Sequence, residues 1–72
     1  MRSTGFITIH DITDKERELV QQHIDSYSAI SWDKIYSLWR DSEGKLCIRY
    51  KCDSRDIWFQ WFHYDTDSGE WW

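Results

Sequence analysis

Leu19, Val20, His23, Ile24 and Tyr27 recur at helical spacing, while Glu16, Glu18, Gln21, Gln22 and Asp25 lie between them on the other side. That alternation predicts one amphipathic helix with an apolar stripe and an acidic, polar back. Its start is marked chemically. Thr13 can cap the first turn, Glu16 can close a capping box, and the acids there suit the positive end of the helix dipole. The helix is expected to run to about Ser28. No Gly or Pro intervenes before Gly44, so a helix continuing to Leu38 is the rival reading. Before it, Phe6-Ile7-Thr8-Ile9-His10 is a β-rich run expected to form a strand.

From Lys34 onward the pattern changes to short runs separated by turn residues, which predicts an antiparallel meander. Asp41-Ser42-Glu43-Gly44-Lys45 suits a three-residue hairpin loop with Gly44 in the left-handed conformation. That register sets Leu38 opposite Ile48 and Tyr36 opposite Tyr50. Thr66-Asp67-Ser68-Gly69-Glu70 repeats the turn chemistry and by the same geometry sets Tyr64 against Trp72 and Asp65 against Trp71. Asp53-Ser54-Arg55-Asp56 reads as a polar connection between the hairpins.

The face that meets the helix is a question of parity. With Leu46, Ile48 and Tyr50 facing the helix, a four-residue loop brings Ile57, Phe59 and Trp61 to the same side. Cys47, Arg49, Lys51, Trp58, Gln60, Phe62 and Tyr64 then take the other. A three-residue loop would swap the set and bury Gln60, which needs partners, so the first register is preferred as the one with a wholly apolar core. The fold expected is α+β: a single small two-layer domain over 1–72, with an N-terminal strand and one amphipathic helix packed on an antiparallel β-meander. The element order is β-α-β-β-β, with a short fourth meander strand at the C-terminus.

Composition sharpens one point. From Ile57 to Trp72, 7 of 16 residues are aromatic. A strand shows alternate residues to opposite faces, so large rings stand on both sides of a sheet with a single helix to cover them. A chain of 72 residues buries only about 60% of its unfolded surface. The 6 Trp, 4 Tyr and 3 Phe partly offset that, since each aromatic ring buries ~150–250 Å². Not all of them can be hidden.

The net charge of −4 is unevenly spread. Residues 34–55 carry six basic and three acidic groups, and the segments on either side are acidic. An acidic whole argues against tight sequence-independent binding of phosphate backbones, while a local basic strip remains. Cys47 and Cys52, five apart on one strand, would point to opposite faces and not bridge. The first residues are too polar for a secretory signal, no run reaches membrane-spanning length, and there is no Asn for glycosylation. A cytoplasmic location and no membrane partner are expected.

No chemical motif stands out. Cys47, Cys52, His63 and either His10 or His23 lack the paired spacing of structural zinc sites. Asp65-Thr66-Asp67-Ser68-Gly69-Glu70 places glycine one position too early for a calcium loop. His63 with Asp65, His23 with Asp25 and His10 with Asp11 are neighbours in sequence without a nucleophile beside them. No catalytic residue, cofactor or metal ligand is assigned, and enzyme activity is not expected.

The constellation above background is aromatic and basic. Arg49 and Lys51 beside Trp58, Phe62 and Tyr64 would form cation–π pairs on an uncovered sheet face, with Trp39, Trp71 and Trp72 as secondary members. Interface hot spots are rich in Trp, Tyr and Arg. The function expected is a protein-binding module, an inhibitor or regulator acting by occlusion, with the acidic helix face (Glu16, Glu18, Asp25) steering it toward a basic partner. In one version that face imitates nucleic acid, as in phage-type inhibitors of nucleic-acid-binding enzymes. Single-stranded nucleic-acid binding on the same rings is the alternative. A homodimer joined at the strand end formed by Trp71 and Trp72 would also hide the surplus.

Overall fold

The computed structural model describes residues 6–52 and 58–72. Helix α1 (Asp14–Ser26) begins where the capping chemistry places it: the Thr13 hydroxyl accepts from the Glu16 backbone N–H, and the Glu16 carboxylate accepts from that of Thr13. It ends at Ser26, two residues earlier than expected and well short of Leu38. Tyr27 turns extended at φ −142°, its N–H still bonded to the Ile24 carbonyl, and the Ser26 hydroxyl bonds back to the Gln22 carbonyl. Leaving the helix lets the Tyr27 hydroxyl reach across to donate to Gln60 Oε1 at 2.8 Å.

Five strands are present among the described residues: β1 (Phe6–Ile7), β2 (Ile35–Arg40), β3 (Leu46–Lys51), β4 (Phe59–Asp65) and β5 (Glu70–Trp71). They form one antiparallel sheet in the order β1-β2-β3-β4-β5. The architecture is the expected α+β arrangement, one helix against one sheet face. The first strand is shorter than Phe6–His10, because the Asp11 carboxylate takes the Thr8 N–H and hydroxyl at 2.8 and 3.1 Å and curls Ile9–Asp11 into a 3-10 turn.

Three registers decide which side chains meet the helix. The first hairpin pairs Leu38 with Ile48 as expected, with Gly44 at φ +81°. A bulge between Ile35 and Ser37 then pairs Ile35, not Tyr36, with Tyr50 and turns Tyr36 outward. The second hairpin differs by one residue from the preferred reading: Ile48 pairs with Phe62 and Tyr50 with Gln60. The Cys52 N–H bonds to the Trp58 carbonyl, so 53–57 lie between the last pair, not 53–56. A one-residue slip exchanges the two faces of a strand. Gln60, Phe62 and Tyr64 therefore face the helix, and Phe59, Trp61 and His63 face away. The objection to burying Gln60 is answered by Tyr27, which supplies its partner. The expected polar connection Asp53–Asp56 and the inward placement of Ile57 lie outside the described residues.

At the last turn the pairs are Tyr64 with Trp71 and Asp65 with Glu70, one residue short of the expected Tyr64–Trp72 pairing. Gly69 takes φ +75° there. The shift sends Trp71 to the helix side and Trp72 to the outside.

The core between the layers contains Leu19 and Val20 of α1, Ile12 and Ile30 flanking it, and Leu38, Leu46, Ile48, Tyr50 and Tyr64 of the sheet. Its polar atoms are paired. The Tyr64 hydroxyl lies 2.8 Å from His23 Nδ1 and 2.7 Å from the Tyr50 hydroxyl, and all three residues are buried. Burial lowers the His23 pKa, disfavouring the charged ring; it raises that of Tyr50 to about 12 and raises that of Tyr64 further. His23 is the core histidine its helical position suggested, with Phe62 edge-on at 4.5 Å and Trp71 stacked at 4.8 Å.

Candidate interaction face

The sheet face away from α1 has no covering element among the described residues. The registers bring to it Phe6 and Trp39 (paired across β1 and β2), Tyr36 at the bulge, Phe59 and Trp61 from β4, and Trp72 beside His63. Phe6 is 79% exposed, Tyr36 60%, Trp61 56% and Trp72 55%. The rings touch one another in a continuous run. Phe6 meets Trp39 edge-on at 6.4 Å, Trp39 meets Trp61 at 6.0 Å, Trp61 meets His63 at 5.3 Å, and His63 stacks on Trp72 at 5.0 Å and 5°. Two shallow clefts open between them, one lined by Trp39, Arg49, Phe59 and Trp61, the other by Phe6, Tyr36, Trp39 and Arg49.

Arg49 is at the centre of this face. Its guanidinium carbon lies 4.5 Å from the Phe59 ring centre and 5.7 Å from that of Tyr36. Such pairs contribute ~0.5–1 kcal/mol each when exposed. The expected cation–π pairing of Arg49 is thus present, but with Tyr36 and Phe59 as its rings. Phe62 and Tyr64, named in the sequence as members of the uncovered face, are on the helix side. Tyr64 is 1% exposed and part of the core hydrogen-bond network.

The remaining named residues divide as follows. Trp58 is 48% exposed just before β4. Trp39 and Lys51 are half-buried on the outer face, whereas Trp71 packs on the core. Of the acidic trio, Glu18 and Asp25 are exposed on α1, Asp25 accepting from Gln21 at 2.8 Å. Glu16 is buried and pairs with Arg40 at 2.6 Å. Burial would raise its pKa, but hydrogen bonds and charge from Arg40, with those of Thr13, outweigh this and lower it. Glu16 ties α1 to β2 and is not available for steering.

Sequence reasoning missed Tyr36, Phe59, Trp61 and Phe6 as members of the outer face. The bulge decided Tyr36 and the loop parity decided Phe59 and Trp61, both of which depend on single residues, while Phe6 joins them through its pairing with Trp39. Both cysteines are free, Cys47 on the outer side of β3 and Cys52 against the core. No helix among the described residues is long and apolar enough to cross a membrane. No family model, curated protein or solved structure matches this chain.

Proposed function

We propose that this chain is a non-enzymatic protein-binding module, a small cytoplasmic inhibitor or regulator, and that its partner docks on the outer sheet face. One observation carries the reading: Phe6, Tyr36, Trp61 and Trp72 are exposed on one sheet face that no described element covers, and Arg49 on that face lies over the Tyr36 and Phe59 rings. Contiguous exposed apolar patches usually mark interaction sites. Rigid rings lose little entropy on binding, and Trp, Tyr and Arg are the residues that dominate interface energies. The partner is a protein offering an apolar surface with a carboxylate placed to meet Arg49. Glu18 and Asp25, on the opposite layer, supply long-range steering toward basic regions of that partner.

A stacking platform with an arginine also suits single-stranded nucleic acid, but the net charge of −4 opposes a phosphate chain. The test is affinity capture in parallel with the wild-type chain and a Tyr36→Ala/Trp61→Ala variant. One stoichiometric protein, retained by the wild type and by a Glu18→Gln/Asp25→Asn variant at moderate salt but lost from the aromatic variant, is the expected result. Equal recovery on the aromatic variant would overturn the assignment of the face. Quenching of tryptophan fluorescence by a single-stranded oligonucleotide at low salt would favour the nucleic-acid reading instead.

A further inference from the structure

One end of the outer face brings together three donor groups of different chemistry that are distant in sequence. Asp41, Cys47 and His63 each offer one ligand atom, and these atoms lie within 4.8 Å of one another. The backbone explains the meeting. Cys47 and His63 are directly opposite on β3 and β4. His63 exchanges both of its backbone hydrogen bonds with Trp72, at 2.8 and 3.1 Å. Its polar backbone groups therefore point to the Trp72 side, which makes Cys47–His63 a non-hydrogen-bonded pair, the kind whose side chains approach closest. Asp41 is two residues beyond Trp39, the partner of Cys47 on β2, and so falls diagonally beside Cys47 on the same face.

Each donor is held in place. Asp41 Oδ1 accepts from the backbone N–H groups of Glu43 at 2.9 Å and Lys45 at 3.0 Å, and a carboxylate has a second oxygen to offer. The His63 ring is fixed by its stack on Trp72. Cys47, between its pairing partners Trp39 and His63 on the outer face, is fully buried.

We propose that Asp41, Cys47 and His63 form a zinc-binding site with an open fourth position. A thiolate and an imidazole select a borderline-soft ion over calcium or magnesium, and three protein ligands with a vacant corner are a recurrent zinc arrangement. Bonds of about 2.0–2.3 Å to a tetrahedral ion set ligand atoms ~3.3–3.8 Å apart. The three donors need to close by about 1 Å, within the range of side-chain torsions.

The same trio does not make a nucleophilic Cys–His pair. Burial, with the Asp41 charge adding to it, pushes the Cys47 thiol up to about 11, the wrong direction for a reactive cysteine. A divalent cation reverses both effects: the thiol proton passes to solvent, the sulfur bonds the ion, and the ion's charge offsets the carboxylate.

Cobalt(II) titration of the metal-free full chain tests the proposal, because a sulfur ligand gives a thiolate-to-cobalt charge-transfer absorption. The expected result is one cobalt per chain with that band, displaced by zinc and unchanged in Cys52→Ser. Cys47→Ala should lose the band. His63→Gln and Asp41→Asn, changes on half-exposed side chains that leave the fold intact by circular dichroism, should each weaken binding at least about tenfold, since even groups behind the ligands contribute 10–100-fold. No charge-transfer band in the wild type, or equal affinity in His63→Gln, would overturn it.

Discussion

The two faces of this sheet both carry large rings and put them to different uses. On the helix side the buried rings include Tyr50 and Tyr64, whose hydroxyls close a chain with His23, while Tyr27 satisfies Gln60. On the outer side Phe6, Trp39 and Trp61 touch in an open run, and Tyr36 meets Phe59 edge-on with Arg49 over both rings. The difference is physical. A buried ring with a polar end must have that end paired, which fixes its neighbours; an exposed one has water for that purpose and is free to exchange it for a partner. The inner face is committed to the fold, and the outer face is available.

Adjacent residues on β4 break the comparison most sharply. Phe62→Ala should destabilise the chain by about 3 kcal/mol, the lower end for loss of a core ring, because Phe62 packs edge-on against His23 at 4.5 Å. Trp61→Ala, one residue away and facing out, should cost about 1 kcal/mol, the scale of its ring contacts with Trp39 and His63. Chemical denaturation of the two variants checks both numbers, and equal losses would mean the faces are not distinct.

The link between the layers comes next. Glu16→Gln leaves Arg40 without its carboxylate and should cost about 2 kcal/mol. That is below the ~3–5 kcal/mol of a fully buried pair, since the Arg40 side chain is still 27% exposed. Tyr64→Phe should cost about 1.5 kcal/mol by leaving His23 Nδ1 and the Tyr50 hydroxyl short of a partner. Thermal melts rank these two.

The smallest effect is a pH dependence. His23 has a folded pKa below its ordinary value of 6.5, so the unfolded chain binds more protons and stability rises with pH. That contribution is complete above about pH 6.5 and is lost as the pH falls through and below that value. The Glu16 carboxyl, also lowered, is lost only below about pH 4.5. Melting temperature should therefore decline between pH 7 and 5 in the wild type and stay nearly level over that interval in His23→Gln.

Much of this was legible in the residues. Thr13 and Glu16 announced the helix start, Gly44 the first hairpin, and the crowding of rings after Ile57 announced that one helix could not cover them all. What escaped reading was parity. The swap of β4 turned on whether Gln60 could be paired, and its partner Tyr27 is 33 residues away in sequence. The assignment of Phe62 and Tyr64 to the outer face failed with that swap, and Tyr36, Phe59 and Trp61 took their places. Glu16 read as solvated because helical periodicity does not reveal that Arg40 lies across from it. Asp41, Cys47 and His63 meet only once two strand registers are known, which no spacing of histidines and cysteines encodes.

Residue-resolved hydroxyl-radical footprinting of the free monomer, read by mass spectrometry, tests the contrast between the faces most directly. Tyr36, Trp61 and Trp72 should be modified rapidly, while Tyr50 and Tyr64 stay protected until the chain unfolds. Protection of Tyr36 and Trp61 equal to that of Tyr64, at a concentration where light scattering gives a monomeric mass, would contradict the account.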